Sequence, residues 1–260
     1  MKRVLLFGGT TEGRELCERW ASLPFLHVTV CVATSYGREL LSGLPENIEV
    51  LEGRKGSHEI AGLLSGEPDG DRADVVVDAT HPFALEVSRT LRTVCGETGV
   101  PYLRLLRPRD GFPGAERCIL VDSAAQACEA LAKTAGPVLL TTGAKELDAF
   151  SSLPHFAERV YARVLPSAES VEKCAALGLP RPHILALQGP FSRKLNRALL
   201  EEYGIRWLIT KETGEAGGFP EKLLAAFDCG ATPVVLRRPP EEGLTAQEIC
   251  RMVEEETRCN

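Results

Sequence analysis

The sequence predicts an α/β protein in which parallel β-sheets are covered by helices on both faces. Short, nearly continuous apolar runs alternate with longer amphipathic segments, and strands buried on both faces have this pattern. The 260 residues are 44% apolar and 25% charged, which is typical of a globular protein with a sizeable core. The first apolar run ends in a glycine-rich turn, as the first strand of many nucleotide-binding α/β proteins does.

The predicted strands are runs rich in β-branched and other apolar residues. The first five comprise residues 4–7, 28–32, 48–51, 75–78 and 102–105. The other six comprise residues 118–121, 138–140, 160–164, 184–187, 207–209 and 234–236. Most are separated by segments of helical length, among them residues 11–21, 83–95, 123–133, 192–202 and 221–227.

A segment rich in turn-forming residues divides the chain into two predicted domains. Residues 107–114 contain two prolines, two glycines and several charges, which is typical of an exposed connection. We place the boundary there and predict one domain at residues 1–110 and a second at residues 111–260. Each domain then has five or six strands, a normal number for an open sheet.

Composition excludes several classes of function. The formal net charge of −6 argues against general attraction to nucleic acids or membrane surfaces. The nine cysteines form no C-x-x-C pair and no zinc-site spacing, so we expect reduced thiols and predict no metal. The apolar run at residues 4–7 is too short for a signal peptide, and no later stretch approaches the ~20 apolar residues of a membrane span. These features predict a cytoplasmic protein.

The turn after the first predicted strand has the composition of a phosphate-binding loop. Residues 8–14 read Gly-Gly-Thr-Thr-Glu-Gly-Arg and lead directly into a predicted helix. Glycines let the backbone approach a pyrophosphate closely, and the free N–H groups that begin a helix attract anions. We therefore expect the phosphates of a nucleotide at this turn. The predicted binding residues are Gly8, Gly9, Thr10, Thr11, Glu12 and Gly13.

Two nucleotide-binding motifs compete for this turn. The P-loop pattern is G-x-x-x-x-G-K-[ST]; Gly8 and Gly13 have its spacing, but Arg14 and Glu15 replace the lysine and the hydroxyl residue. The dinucleotide pattern G-x-G-x-x-G also fits at the two glycines, with Thr10 in place of the middle one. A dinucleotide is therefore the predicted ligand.

The end of the second predicted strand indicates which dinucleotide binds. NAD sites usually carry an acidic residue there, which binds the ribose 2′-hydroxyl. Residues 33–38 read Ala-Thr-Ser-Tyr-Gly-Arg, with hydroxyls and a cation but no acid. This set suits a 2′-phosphate, so we predict NADPH, bound by Thr34, Ser35 and Arg38. The alternative is a helix cap at Thr34 or Ser35, with Arg38 in solvent.

Polar residues follow other strands at the edge where open α/β sheets bind ligands. After the fourth strand, Thr80 and His81 are predicted cofactor contacts; the alternatives are a helix cap and a structural histidine. In the second half, Thr142, Gly143 and Lys145 follow one strand as predicted substrate contacts. Gln188 follows another strand as a predicted cofactor contact. Turn formation alone is the alternative for these residues.

The segment of residues 210–222 has the features of a binding loop. It follows the strand at 207–209, contains three glycines and carries charges of both signs. Glycine-rich loops at the carboxyl end of a strand allow a ligand to approach closely. Lys211 comes directly after the strand, and we predict that the loop binds a ligand. The alternative is a mobile solvated loop in which Lys211 pairs with a nearby acidic residue.

Seven segments of the chain together resemble one family, the precorrin-6A reductases of cobalamin biosynthesis, including the cobalt-precorrin-6A form. The segments are collinear and extend over nearly the whole chain. They are LFGGTTEG at 6–13, VDATHPF at 77–83, VPYLR at 100–104, LTTG at 140–143, ALQGPF at 186–191, TKE at 210–212 and GGF at 217–219.

The resemblance implies a fold and a reaction. It implies two Rossmann-like domains, the first binding NADP and the second binding substrate and cofactor, with NADPH and the active site in the cleft between them. The reaction transfers a hydride from NADPH to one carbon–carbon double bond of a corrinoid macrocycle, and other enzymes of cobalamin biosynthesis are possible partners. Whether the corrinoid carries cobalt stays open.

A corrinoid bears many carboxylates, so the resemblance also indicates which charged residues matter. Lys211 is the predicted catalytic residue, which binds a carboxylate or helps to deliver the proton that completes the reduction. The other predicted substrate contacts of its loop are Gly217, Gly218 and Lys222. The candidate cations for the carboxylates are Arg104, Lys145, Arg193, Lys194, Arg197, Lys211 and Lys222.

Two other functions are compatible with the glycine-rich turn. A short-chain dehydrogenase has a similar turn, but its usual chemistry needs Tyr-x-x-x-Lys, and none of the four tyrosines has a lysine at that spacing. A non-catalytic NADP-binding sensor is the second alternative. The polar loops at 141–145 and 210–222 argue against a sensor, because a sensor has no need of a second polar site.

Overall fold

The computed structural model describes residues 1–66, 72–106, 111–213 and 217–255. The chain forms two compact units. The first comprises Met1–Arg109 together with Pro240–Asn260, and the second comprises Asp110–Pro239. None of the helices in the described ranges combines the length and the apolar character that a membrane span requires.

The first unit contains one parallel sheet with helices on both faces. Its strands are β1 (Lys2–Phe7), β2 (Leu26–Val32), β3 (Ile48–Glu52), β4 (Val75–Asp78) and β5 (Tyr102–Arg104). Its helices are α1 (Thr11–Ala21), α2 (Ser35–Glu39), α3 (Ser57–Ser65), α4 (Leu85–Thr98) and α11 (Ala246–Glu255). The strand order is β3-β2-β1-β4-β5, and every pair is parallel.

The second unit contains another parallel sheet, of six strands. They are β6 (Ile119–Val121), β7 (Val138–Leu140), β8 (Val160–Val164), β9 (Ile184–Ala186), β10 (Trp207–Lys211) and β11 (Thr232–Leu236). Its helices are α5 (Ala124–Ala132), α6 (Leu147–Phe150), α7 (Phe156–Arg159), α8 (Ala168–Ala176), α9 (Arg193–Glu202) and α10 (Phe219–Asp228). The strand order is β6-β11-β10-β7-β8-β9. The α/β class and the two parallel sheets predicted from the sequence are confirmed.

Successive residues of a central strand belong to two different cores. Val4 and Leu6 of β1 pack on one face of the first sheet with residues of α1 and α11. Leu5 and Phe7 pack on the other face with residues of α3 and α4. Side chains alternate between the faces of a strand, so a strand covered on both sides must be apolar at every position. This is why the strands appear in the sequence as continuous apolar runs.

The C-terminal segment does not follow the predicted division. The sequence assigned all of residues 111–260 to the second domain, whereas Pro240–Asn260 pack with the first unit. Ile249 and Val253 of α11 are buried in the core that contains Trp20 of α1. An amphipathic helix packs wherever a matching apolar face is available, and position along the chain does not show where that face is. Residues 107–110 of the predicted connection lie outside the described residues.

Candidate active site

Each sheet has one point where the strand order reverses. In the first sheet β2 and β3 lie on one side of β1 and β4 lies on the other; in the second sheet β8 and β10 flank β7. Crossover connections leave such a point on opposite faces of the sheet, which opens a crevice beyond the carboxyl ends of the two central strands. Each unit therefore has one candidate ligand site, defined by β1 and β4 in the first and by β7 and β10 in the second.

The glycine-rich turn occupies the candidate site of the first unit. Gly9 has a φ of 118°, a conformation that L side chains rarely adopt. The Thr10 hydroxyl accepts a hydrogen bond from the Gly13 N–H at 3.2 Å and donates one to the Ala79 carbonyl at 2.9 Å. Thr10 therefore caps α1 and joins the turn to the end of β4. Its hydroxyl is engaged with these backbone groups, so the backbone N–H groups of the turn are the candidate phosphate contacts.

Close packing explains the last glycine of the turn. A Cβ added at Gly13 would lie 3.1 Å from the Ala79 Cβ and 3.5 Å from the Thr10 Oγ1. In the dinucleotide fingerprint the third glycine has this role, because it lets the helix approach the neighbouring strand. Thr11 and Glu12 begin α1, where backbone N–H groups have no partner within the helix. The geometry fits a pyrophosphate at this turn.

The residues predicted to select NADPH lie at the end of β2. The Thr34 hydroxyl accepts a hydrogen bond from the Gly37 N–H at 3.2 Å, so it caps α2, which begins at Ser35. Arg38 is 62% exposed and its Nη1 lies 3.9 Å from a Glu52 carboxylate oxygen. The structure thus shows the helix cap that was the alternative role of Thr34. It also places the acidic residue Glu52 near Arg38, which the sequence did not predict.

A buried network of polar side chains surrounds the end of β4. Asp78 is fully buried; its Oδ1 accepts hydrogen bonds from the Thr80 hydroxyl and from Arg104 Nη1, both at 2.7 Å. Its Oδ2 accepts one from the Tyr102 hydroxyl, also at 2.7 Å. Burial by itself raises the pKa of Asp78, but the Arg104 charge and the hydrogen bonds outweigh burial and lower this pKa.

Arg104 belongs to this network rather than to a substrate site. Its side chain is 3% exposed, and its Nη2 lies 2.6 Å from Glu241 Oε1 as well as contacting Asp78 through Nη1. Both of its carboxylate partners lie in the first unit, Glu241 within the C-terminal segment. Its prediction as a cation for substrate carboxylates is therefore wrong, because its charge is already neutralised by buried carboxylates.

Thr80 and His81 directly follow Ala79, which touches the glycine-rich turn. The Ala79 carbonyl accepts a hydrogen bond from the Thr10 hydroxyl, and the Ala79 side chain packs against Gly13. The His81 Nδ1 accepts a hydrogen bond from the Phe83 N–H at 3.3 Å, and the two rings are stacked with centroids 5.7 Å apart. Thr80 donates to Asp78 and contacts Arg104. The structure brings these two predicted cofactor contacts close to the predicted phosphate turn.

In the second unit, β7 and β10 are joined at their carboxyl ends. The Thr141 hydroxyl donates to the Ile209 carbonyl at 2.8 Å. Thr142 is 9% exposed, and its hydroxyl oxygen has no hydrogen-bond partner among the residues that the structure describes. Gly143 has a φ of 81°, and Lys145 is exposed in the turn that follows. A buried hydroxyl without a partner is a free donor or acceptor at a candidate ligand site.

Lys211 is the last residue of β10, which extends two residues beyond the strand predicted at 207–209. It also pairs with an acidic residue, as the alternative for this loop expected. Its Nζ lies 3.0 Å from Glu146 Oε1, and the side chain is only 15% exposed. Glu146 belongs to a short 3-10 helix that follows β7. The ion pair therefore connects the ends of the two strands that define the second candidate site, and it holds Lys211 at this edge of the sheet.

Lys222 lies in the first turn of α10 and is 8% exposed. Burial and, to a smaller extent, the charge of Arg163 lower the pKa of Lys222 to about 8, against the opposing effect of Glu221. Arg163 is near the end of β8 and is 6% exposed. Sequence analysis did not select Arg163. The sequence feature that could have identified Arg163 is its position as a single charged residue within the apolar strand at 160–164.

The remaining predicted contacts of the second unit occupy loops near the same edge. Gln188 is exposed two residues after β9. A Cβ at Gly217 would overlap the Thr213 hydroxyl, and Gly218 has a φ of 62° where it begins α10, so both positions require glycine. Residues 214–216 of this loop lie outside the described residues.

Two of the predicted substrate cations form exposed ion pairs instead. Arg193 pairs with Asp228, and Arg197 pairs with Glu201. Lys194 is exposed on α9. No group of histidine, cysteine or acidic residues suited to a metal ion occurs in the described ranges.

These features define a class of protein: an α/β protein with two doubly wound sheets and a dinucleotide-type turn. The family model described as precorrin-6x reductase CbiJ/CobK matches residues 3–256. The cobalt-precorrin-6A reductase of Methanothermobacter thermautotrophicus is 37% identical over 249 residues, which cover 95% of this chain and 79% of that protein. The precorrin-6A reductase of Mycobacterium tuberculosis is 36% identical over 243 residues, covering 92% of this chain and 90% of that protein.

A solved structure has the same architecture over nearly its whole length. The structure described as CobK precorrin-6A reductase aligns with a TM-score of 0.71 at 25% identity, covering 98% of this chain and 97% of that chain. The chain therefore belongs to the precorrin-6x reductase CbiJ/CobK family, and the resemblance stated from the sequence is confirmed. It is an oxidoreductase of cobalamin biosynthesis that acts on a CH–CH group.

Proposed function

We propose that this chain uses NADPH to reduce one carbon–carbon double bond of precorrin-6A or of cobalt-precorrin-6A. The observation that carries the dinucleotide part is the turn between β1 and α1. Gly9 has the backbone conformation that such a turn needs, and Gly13 packs where a Cβ would crowd Ala79. When bound, NADPH supplies the hydride, and the protein supplies binding, orientation and electrostatics.

The proposal assigns the two candidate sites to the two ligands. The turn at 8–13, together with Thr80 and His81, binds the cofactor in the first unit. Substrate carboxylates contact the second unit through Thr142, Gly143, Lys145, Gly217, Gly218 and Lys222. Support comes from the buried Thr142 hydroxyl without a partner and from the buried charge of Lys222. Gln188 is retained as a cofactor contact from the sequence prediction alone.

Lys211 has the catalytic role in this proposal. Its place at the end of β10 and its ion pair with Glu146 support it, because together they hold the ammonium group at the edge of the sheet. A held ammonium group either binds a carboxylate or donates the proton that completes the reduction.

We further propose that the reaction takes place in the cytoplasm, where other cobalamin-pathway enzymes supply and consume the corrinoids. Burial of the cysteine thiols is compatible with a reducing compartment. Burial raises the pKa of Cys17 and of Cys31 to about 12, so these thiols behave as apolar core groups.

The proposed reaction is tested by supplying the purified protein with NADPH and each of the two corrinoids in turn. NADPH should be consumed, and the mass of the corrinoid should increase by two hydrogens. Relatives named for each form have similar identity to this chain, so both corrinoids must be assayed. If neither corrinoid is reduced, the proposed function is wrong.

Replacing Arg38 with alanine is expected to weaken NADPH binding by about 1.5–3 kcal/mol, the range for a hydrogen bond to a charged group. The reason is the loss of a cation next to the 2′-phosphate, where residues 33–38 offer no acid. Isothermal titration with NADPH and NADH measures the effect. NADH lacks the phosphate and is the internal control, so its affinity should be unchanged. Equal affinity of the parent protein for both dinucleotides would contradict the assignment.

A further inference from the structure

Two buried cations lie together at the carboxyl edge of the second sheet. Arg163 is the penultimate residue of β8, and Lys222 lies in the first turn of α10. Their side chains are 6% and 8% exposed, so both are more than nine-tenths buried. Phe191 links the two: its ring lies 4.5 Å from the Arg163 guanidinium carbon, and its backbone lies 3.8 Å from a Cβ placed at Gly218, whose carbonyl accepts from the Lys222 N–H. In agreement with this placement, the charge of Arg163 lowers the pKa of Lys222. Burying two like charges together is unfavourable unless something neutralises them.

Arg163 is held in place without being neutralised. Its Nη1 donates to the Asn196 Oδ1 at 2.8 Å, and its guanidinium carbon lies 4.5 Å from the centroid of the Phe191 ring. The Asn196 amide in turn donates to the Phe191 and Ser192 carbonyls, which fixes its orientation. An amide and an aromatic ring orient a guanidinium but carry no negative charge, so most of its five N–H donors are left for another acceptor.

Two other buried arginines have more hydrogen-bond acceptors than Arg163. Arg104 contacts two carboxylates. Arg159 donates to the Gly136 carbonyl and to both the carbonyl and the hydroxyl of Thr134, so it joins loops of the second unit. Within the described ranges Arg163 donates one hydrogen bond, to Asn196. Arg163 therefore has fewer acceptors than these two structural arginines.

In the part of the chain that the structure describes, no carboxylate forms an ion pair with either of the two cations. Within the described ranges no carboxylate oxygen lies within 4.0 Å of a side-chain nitrogen of Arg163 or of Lys222. The Glu221 carboxylate raises the pKa of Lys222 by less than the Arg163 charge lowers it. Thr213, in the neighbouring loop, has a buried hydroxyl that also has no hydrogen-bond partner in the described part of the chain. Cations held in this way attract an anion, which would be hydrogen-bonded and little screened by water.

We propose that Arg163 and Lys222 form a binding site for one carboxylate group of the substrate. The planar guanidinium suits bidentate contact with a carboxylate, and the ammonium group of Lys222 adds a second charge. The inference rests on the proposed function for the nature of the ligand, and it adds Arg163 as a residue that sets substrate specificity. The site favours corrinoids that retain a carboxylate at the contacted position over analogues that carry an amide there.

The test compares Arg163→Met and Lys222→Met with the control Lys173→Met. Lys173 is a partly exposed lysine on α8, paired with Asp148 in the same unit. Each site variant should raise the KM for the corrinoid by about 10- to 100-fold, as loss of a charge-assisted hydrogen bond implies. NADPH affinity should be unchanged in all three variants. Lower NADPH affinity in the site variants would show that the site binds a cofactor phosphate, which overturns the proposal.

A melting experiment keeps the inference separate from the proposed reaction. Removing one of two buried like charges should raise the Tm of the ligand-free protein, whereas loss of a structural contact would lower it. Citrate, a polycarboxylate probe, should raise the Tm of the parent and of Lys173→Met at constant ionic strength but not that of the site variants. If the parent fails to reduce corrinoids while this citrate pattern holds, the proposed reaction fails and the anion site stands.

Arg163→Lys provides a second variant in case the methionine variant does not fold. It keeps the charge but loses the planar fork, so its KM should lie between those of the parent and of Lys222→Met. An unchanged KM in Arg163→Lys and in Lys222→Met, together with no citrate effect on the parent, overturns the proposal.

Discussion

Replacing Arg104 with methionine is expected to lower the free energy of unfolding by about 3–5 kcal/mol, the range for breaking a buried ion pair by removing one partner. Asp78 is fully buried and would lose its cation, and Glu241 would lose the same partner. The effect is large because water cannot reach the Asp78 carboxylate to replace the lost contacts. Urea denaturation at neutral pH measures it.

Arg19→Met is the matched control for Arg104→Met. Arg19 also pairs with a carboxylate of the C-terminal segment, Glu254, but its side chain is 56% exposed. Exposed pairs contribute about 0–1 kcal/mol, so this variant should be nearly as stable as the parent. If the two variants lose stability equally, the buried network is not what holds the C-terminal segment in the first unit.

The dependence of stability on pH gives the Arg104→Met prediction a second readout. In the parent protein the pKa of Asp78 is lowered on folding, so its stabilising contribution is present at neutral pH. That contribution is lost as the pH falls below the unfolded value of about 4 towards the lowered pKa. In Arg104→Met the lowering effect of the cation is gone, so we expect the pKa of Asp78 to be higher than in the parent. The difference in stability between parent and variant should therefore shrink on acidification, and a constant difference would contradict this account.

Replacing Lys211 with alanine is expected to depress reduction of the corrinoid while leaving NADPH affinity nearly unchanged. If Lys211 delivers the proton, kcat should fall by about 10²–10⁴-fold, the range for a positioned acid. If it only binds a carboxylate, KM should rise with kcat unchanged. Steady-state kinetics with the corrinoid as the varied substrate separates the two roles.

Lys173→Ala is the control for Lys211→Ala, because it also removes an ion-paired lysine of the same unit, one that lies on α8 and not at the end of a strand. Glu146→Gln tests the positioning role of the ion pair. It leaves Lys211 in the chain but removes the carboxylate 3.0 Å from its Nζ. Reduction by Lys211→Ala at the rate of the parent would show that Lys211 only joins β10 to the turn after β7.

Features that depend on neighbouring residues could be predicted from the sequence. Each strand is a short apolar run, because burial on both faces imposes the same requirement at every position. The glycine-rich turn could also be located from the sequence, since Gly9 has a positive φ that L side chains rarely adopt and Gly13 packs closely against Ala79. The sequence placed Lys211 just beyond its strand, and in the structure Lys211 is the last residue of that strand, so the edge of the sheet was predicted to within two residues.

Features that depend on distant residues were decided by the tertiary structure. Arg104 was predicted to meet substrate, but its partner Glu241 is 137 residues away, and α11 packs on the first unit rather than the second. Arg163 was missed because its importance comes from Lys222 and Asn196, which two other helices bring to it. A charge in a sequence does not show whether it is neutralised. That depends on which side chains the fold places within a few ångströms, because electrostatic interactions act through space rather than along the chain.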